Sequence, residues 1–216
     1  MALGANAKYE AACNTTLTSL NLRCCEAYVA GATHVANMLT HNNHLSRLIL
    51  ADNAIGPLGA TLIGESLKVN VALQHLDLAK NNVGEDGAMA LGETLGVNMR
   101  LASLDLSYNN VGDAGATSLA RGIDRNKSLV MLDMTENRQI SAIGSWYLTV
   151  AAKNKPTGSY AHDRRLTYRG LPSDKEVRDM LPRILAYNDH RRLMAMKNAD
   201  LDLLARDVPH TSAKKK

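Results

Sequence analysis

The 216-residue chain contains no phenylalanine and only 4% aromatic residues, so its core must be built from aliphatic side chains. No apolar run approaches the roughly 20 residues that a membrane-spanning helix needs. The three cysteines include an adjacent pair, an arrangement that is no disulfide framework and favours a reducing, intracellular compartment. The amino-terminal residues lack a basic segment followed by an apolar one, so we expect no secretory signal. We therefore predict a cytoplasmic protein without contact to a membrane.

Positive charge is scarce in the first part of the chain. Residues 1–154 carry 11 Lys or Arg against 13 Asp or Glu, whereas residues 155–216 carry 14 against 8. The basic excess therefore belongs entirely to the second part. A basic extension of this kind suits an acidic polymer, such as the surface of a microtubule.

What the sequence does contain is a repeat. The pattern L-x-x-L-x-L-x-x-(N/C) occurs five times at one constant interval, with first leucines Leu17, Leu45, Leu73, Leu101 and Leu129. In each unit the period-2 leucines predict a short strand, the glycines that follow predict a turn, and an apolar i, i+4 stripe predicts a helix. One unit cannot bury its own apolar face, so the units must stack into a solenoid.

The stretch LQHLDLAKNNVGEDGAMALGETLGVN (Leu73 to Asn98) and its neighbours resemble the leucine-rich-repeat family, in its ribonuclease-inhibitor-like class. The resemblance implies an α/β solenoid with a parallel sheet on the concave side and helices on the convex side. It also implies protein–protein binding rather than catalysis. The fifth repeat has one extra residue in the stretch Asn137-Arg138-Gln139, and in this it is similar to the leucine-rich domain of tropomodulins, which cap actin filaments.

Five segments follow from these patterns. We predict a capping helix or, alternatively, a disordered tail over residues 1–16, five repeats over 17–154, a linker and extended basic segment over 155–172, a helical extension over 173–208 and a disordered tail over 209–216. The extension begins with a capping box formed by Ser173 and Glu176. Its apolar stripe either folds back on the solenoid or docks on a partner.

The residue between the second and third leucines of each repeat should point to the concave face. Since neighbouring strands lie about 4.8 Å apart, Asp77, Asp105 and Asp133 would form an acidic line. It is either a binding stripe for a basic partner or a recurring structural feature of the fold. No partner base and no glycine-rich phosphate loop accompany the line, so we expect no enzyme, metal or cofactor. The predicted binding residues of this face are Arg47, His75, Asp77, Lys80, Asp105, Tyr108, Asp133 and Glu136.

Tyr108 is the best single anchor among them, because exposed aromatic residues anchor interfaces. A second group belongs to the basic extension, where arginines occur with one tyrosine. We expect residues 162–169 to lie as an extended segment on an acidic surface or, alternatively, to form a solvated loop. The second group is Arg164, Arg165, Tyr168, Arg169, Arg191 and Arg192.

Three functions are consistent with these features. The first is a non-catalytic scaffold within a cytoskeletal assembly, such as the microtubules of the flagellar axoneme, with proteins rather than small molecules as partners. The second is a regulator that binds one protein on its concave face, as ribonuclease inhibitor and tropomodulin do. The third is a subunit of a ribosomal or nucleic-acid complex, ranked last because the basic extension has few aromatic residues for stacking on bases.

Overall fold

The computed structural model describes residues 14–153 and 167–169. Strands and helices alternate along the chain. They are β1 (Ser19–Asn21), α1 (Tyr28–His41), β2 (Arg47–Ile49), α2 (Gly56–Val69), β3 (His75–Asp77), α3 (Gly84–Leu95), β4 (Ser103–Asp105), α4 (Asp113–Arg125), β5 (Met131–Asp133), α5 (Ala142–Lys153) and β6 (Thr167–Arg169). The predictions for residues 1–13, 173–208 and 209–216 lie outside the described residues.

The strands form one parallel sheet in the order β1 to β6. From β1 to β5 each residue pairs with its counterpart in the next repeat, as Leu20 does with Leu48. A helix covers each crossover, which is how parallel neighbours are connected. The predicted α/β solenoid is therefore confirmed, with the leucines in register from unit to unit.

Strand β6 adds a feature that the repeat pattern does not contain. The sequence predicts that residues 167–169 belong to an extended basic segment on an acidic surface, or to a solvated loop. In the structure they pair with β5. Thr167 lies beside Met131, and these two residues are further apart in the sequence than register partners in neighbouring repeats are. The outer edge of β5 is thereby covered, which removes an open row of backbone donors and acceptors.

One aliphatic core lies between the sheet and the helices. In the described residues it consists of Ala, Val, Leu, Ile and Met side chains. The second leucines of repeats two to five are at most 2% exposed, whereas Leu20 in the first repeat is only partly buried. The leucines of the repeat and the apolar residues of the helices thus form the aliphatic core that the lack of phenylalanine predicts.

The first repeat is less well covered than the others. Cys25 stands in the column that later repeats fill with buried asparagine, but it is exposed, as is Cys24. In later repeats the column residue contacts the preceding unit, as Asn81 does through the carbonyl of Leu50. No described repeat precedes Cys25, so that cover is missing among the described residues.

Glycine sets how closely the helices approach. A Cβ added at Gly87 would lie 2.9 Å from the Cβ of Ala60, and one at Gly115 would lie 2.8 Å from the Cβ of Ala88. In the irregular fifth repeat, Gly144 takes the same place, 3.1 Å from the Cβ of Ala116. The extra residue of that repeat is therefore absorbed before the helix, and the helix packing is kept.

Within the described part of the chain, no helix is both long and apolar enough to cross a membrane. The described residues belong to one compact unit.

Candidate functional site

Two edges of the sheet frame the candidate site. The carboxyl edge is defined here as the end of each strand, the loop that follows and the first turn of the next helix: residues 21–30, 49–58, 77–86, 105–114 and 133–142. The amino edge is the segment that leads from each helix into the following strand, up to the first residue of strands β2 to β5: residues 41–47, 69–75, 97–103 and 125–131. The two edges lie at opposite ends of strands that are each about 10 Å long.

A ladder of asparagines builds the carboxyl edge. The Asn81 side chain donates from Nδ2 to the carbonyl of Leu50 at 2.8 Å, and its Oδ1 accepts from the backbone N–H of Asn53 at 3.0 Å. Asn109 and Asn137 repeat the pattern one and two units later. These amides therefore satisfy backbone groups of the turns, and the ladder ties each loop to its neighbours.

The loops at this edge hold non-glycine residues in the left-handed region of φ. Lys80 has φ 55° and Tyr108 has φ 57°, a conformation that costs about 1–3 kcal/mol for residues with a side chain. Backbone bonds between units hold it, with the N–H of Lys80 donating to Ser107 and that of Tyr108 to Thr135, both at 2.9 Å. The same conformation recurs at Cys24, Asp52 and Glu136. The side chains of this column are therefore presented by a fixed backbone.

The predicted acidic line exists. Asp77, Asp105 and Asp133 are register partners on β3, β4 and β5, and all three are half-buried. Each accepts a hydrogen bond through Oδ1 from the backbone N–H two residues later, at 2.8 to 2.9 Å. Asn21 makes the same bond in the first repeat, at 3.0 Å to the N–H of Arg23. In the second repeat Ile49 occupies this position and offers no acceptor. The turn therefore needs neither the hydrogen bond nor a negative charge, and its geometry does not explain the three charges.

The charges of the line oppose one another. Burial raises the pKa of Asp77, and the carboxylates of Asp105 and Asp133 raise it further, against the lowering by the bond from Ala79 and the charge of Arg23. A basic group brought to this line would lower the Asp77 pKa again. The arrangement therefore favours a cationic partner.

Tyr108 stands next to the line, on the loop that follows Asp105. Its ring is 49% exposed, and Nζ of Lys80 lies 5.4 Å from the ring centroid, within the range of a cation–π contact. Glu136 follows in the same column and pairs with Arg138 at 2.7 Å, which raises the pKa of that arginine. The structure thus places an exposed aromatic ring and charges of both signs in the loops next to the acidic line.

The remaining predicted residues occupy a parallel row at the start of the strands. Arg47 and His75 are register partners. Burial lowers the pKa of His75, and the charge of Arg47 lowers it further. Met131 lies two positions along the same row, in the repeat column of Arg47 and His75, and is 44% exposed.

The second predicted group is described only at β6. The register places Tyr168 beside Leu132, in the leucine column, and Arg169 beside Asp133, at the end of the acidic line. The other four arginines, Arg164, Arg165, Arg191 and Arg192, lie outside the described residues. Among the described side chains, no three of His, Cys, Asp and Glu are grouped so that they could hold a metal ion.

The repeat units match a known family. A family model described as "Leucine Rich repeat" matches residues 13–26, 41–64, 69–92 and 97–120. No curated protein sequence matches the chain. Together with the register of the sheet, these matches show that the chain has the leucine-rich-repeat fold, which serves as a protein-interaction module.

Two solved structures share this fold. One is leiomodin-1, in the region called actin-binding site 2, with 16% identity and a TM-score of 0.60 over 84% of this chain and 95% of that one. The other is a tropomodulin C-terminal domain from a Caenorhabditis elegans structural genomics project, with 14% identity and a TM-score of 0.58 over 68% of this chain and 89% of that one. The expected likeness to the leucine-rich domain of tropomodulin is thus confirmed at the level of the fold.

Proposed function

We propose that this protein is a non-catalytic binding module that holds one protein partner against the concave face of its sheet and the carboxyl edge. The observation that carries the proposal is the register-aligned line of Asp77, Asp105 and Asp133. Its geometry is reproduced by an uncharged Asn21, so the three charges serve something other than the turn. Recognition of a basic surface is the role that such a line can fill.

The partner surface is basic, with one position that accepts an aromatic ring. Arg or Lys side chains of the partner would pair with the acidic line, and Tyr108 would supply the buried anchor that most interfaces contain. Six strands at about 4.8 Å spacing give a face roughly 24 Å wide. A face of this width accommodates one small contact surface rather than several partners.

Actin is the first partner to test, at a cytoplasmic or cytoskeletal location. The support is the leiomodin-1 region, which its description calls an actin-binding site and whose fold this chain covers for 95% of its length. Tropomodulin provides a second neighbour of the same fold. Because the two identities are only 16% and 14%, the support for actin comes from the shared fold together with the acidic line and Tyr108.

The test is binding of the full-length protein to monomeric and filamentous actin, measured by fluorescence titration and by co-sedimentation. We expect Asp105→Asn and Tyr108→Ala each to weaken binding about tenfold, the effect of losing one interface anchor. Asp105→Asn keeps an acceptor for the N–H of Ser107, so the turn is preserved. Met89→Ala, at a residue that is 40% exposed on helix α3 and lies outside both edges, is the matched control. No binding to either form would exclude actin, and full binding by both variants would exclude this face.

A second candidate is a scaffold anchored by the basic excess of residues 155–216, with microtubules, including those of the flagellar axoneme, as the acidic polymer. The full-length protein and residues 1–174 should be compared in co-sedimentation with stabilised microtubules. A cut after residue 174 keeps β6, which belongs to the same compact unit as the other described residues. The scaffold requires that the shorter chain lose binding, whereas the concave-face module requires that it keep its affinity for the partner protein.

A further inference from the structure

A second exposed surface lies at the amino edge, at the far end of the strands from the acidic line. Val69, Val71, Val97 and Met99 are 61%, 56%, 58% and 47% exposed. Val97 and Met99 occupy the same repeat columns as Val69 and Val71, one unit later, and the strands that these two segments enter are hydrogen-bonded neighbours. The four side chains therefore form one surface, the amino-edge patch.

The backbone fixes the patch in solvent. Asn70, between Val69 and Val71, is 3% exposed and donates to the carbonyl of Leu39 at 2.7 Å. Asn98, between Val97 and Met99 in the next unit, makes the corresponding bond at 2.7 Å. Because a buried ladder residue separates the two members of each pair, none can turn into the core without breaking the ladder. The exposure of these side chains is thus built into the fold.

The apolar character is confined to the two central units. In the same columns the first unit has His41 and Asn43, and the fourth unit has Arg125 and Lys127. An exposed apolar patch with a polar border is characteristic of a binding site. The fold itself does not require apolar residues here, since two units of this chain carry polar ones.

The border of the patch is cationic. The four segments of the amino edge contain no Asp or Glu. Arg100 donates from Nε to the carbonyl of Val71 at 2.6 Å, which places its guanidinium beside the patch. Helix residues before the edge do carry acids. They are Glu65 and Glu93, which Lys68 approaches at 2.6 Å and 4.0 Å, and Asp124 in the last turn of α4.

We propose that the amino-edge patch binds an acidic amphipathic segment of a partner protein. Apolar side chains of the segment pack on Val71, Val97 and Met99, and its carboxylates pair with Arg100 and with Lys127. This surface is at the opposite ends of the strands from the concave-face site, which selects a basic partner. The protein therefore binds two partners of opposite charge, one at each edge.

The test uses two fluorescein-labelled helical peptides with the same leucine face, one with glutamate and one with lysine on its polar face. Binding to the full-length protein is measured by fluorescence anisotropy at several salt concentrations. We expect the glutamate peptide to bind and the lysine peptide not to bind at this patch. The double variant V97S/M99S and the single variant Lys127→Glu should each weaken the glutamate peptide about tenfold. Leu58→Ser, equally exposed on α2, should leave binding unchanged.

Methyl NMR of the protein labelled at Val, Leu and Met locates the contact. The proposal requires shifts at Val71, Val97 and Met99 with the glutamate peptide, and none at Leu58, which is exposed at the carboxyl edge. A glutamate peptide that leaves these three methyl signals unchanged, or a lysine peptide that shifts them as strongly, would overturn it. Concentration-dependent dimerisation that V97S/M99S abolishes would also overturn it, because the occupant would then be a second copy. Tyr108→Ala should not change peptide binding, so failure here and failure of the concave-face proposal are separable.

Discussion

The two edges of this solenoid are built in the same way and carry opposite surfaces. Each has a ladder of buried asparagines that recurs once in every repeat. Yet nine of the twelve acidic residues in the described range 14–153 lie at the carboxyl edge, and none lies at the amino edge. The repeat therefore fixes the scaffold, whereas the residues between the ladder positions decide what each edge can bind.

The backbone also differs between the edges. At the carboxyl edge, non-glycine residues next to the ladder have φ between 49° and 60°. At the amino edge, Asn42, Asn70 and Asn126 end their helices with φ between −84° and −70°, in extended conformation. Their side chains bond both the loop and the preceding unit. Oδ1 of Asn70 accepts from the N–H of Leu73 at 2.8 Å, and Nδ2 donates to the carbonyl of Leu39 in the last turn of α1 at 2.7 Å.

The largest expected effect comes from breaking one ladder at a time. Asn81→Ala leaves the N–H groups of Asn53 and Ile55 without an acceptor inside the protein, which should cost about 2–5 kcal/mol of unfolding free energy. Asn98→Ala should cost less, because water can reach the N–H of exposed Arg100. Urea denaturation of both variants measures the difference. Equal losses of unfolding free energy would show that the two ladders contribute equally. They would also show that the left-handed backbone at the carboxyl edge does not make the fold more dependent on its asparagines.

A medium effect should follow from changing a side chain without touching either ladder. Tyr108→Val places a β-branched residue at φ 57° and should cost about 1–2 kcal/mol. Met99→Val, at an amino-edge position outside the left-handed region, should leave stability nearly unchanged. Thermal unfolding of the pair tests the backbone difference directly. Similar melting temperatures for both variants would contradict it.

A smaller effect concerns the charge of the acidic line. Burial raises the pKa of Asp77 above 3.8. Over a range of pH above 3.8, the Asp77 carboxyl group is therefore still protonated in the folded state but already ionised in the unfolded state. Stability is therefore lost as pH rises through that range, and the loss persists at neutral pH. Asp77→Asn should be slightly more stable than the wild type at pH 7 and equal to it below pH about 3. A variant that is less stable at pH 7 would show that the charge itself supports the fold.

The smallest effect is expected at the other end of the same strand. The pKa of His75 is lowered from 6.5, so the unfolded state takes up a proton before the folded state does. Stability should fall as pH drops through 6.5. His75→Gln should reduce this fall while leaving stability above pH about 7.5 unchanged. Denaturant midpoints between pH 5 and pH 8 would reveal it, and identical pH profiles would exclude a contribution from His75.

Much of the candidate site follows from the sequence because the repeat spacing is itself geometric information. The constant interval between repeats places Asp77, Asp105 and Asp133 in register before any coordinate is known. The interval widens at β6, where Thr167 pairs with Met131, and the leucines are absent there, so the repeat spacing does not predict how the last strand pairs. Only the open backbone edge of β5 selects it.

Other features depend on neighbours that a single unit does not show. Cys25 matches its column in sequence, but its burial depends on a preceding unit, and it is exposed. The left-handed φ of Lys80 and Tyr108 has no residue signature, because neither is glycine. The conformation is stable only because backbone bonds from one unit to the next offset its cost.

The sequence by itself determined the leucine-rich-repeat fold, the strand register and the acidic line, because each depends on residue type at a fixed interval. The tertiary structure decided which side chains remain in solvent. Val71 and Val97 are apolar residues of the kind that usually lies in a core. Both are nevertheless exposed, because the buried asparagines beside them fix the orientation of the backbone. Exposure depends on how stacked units orient each backbone position, and that orientation is set by the hydrogen bonds between units.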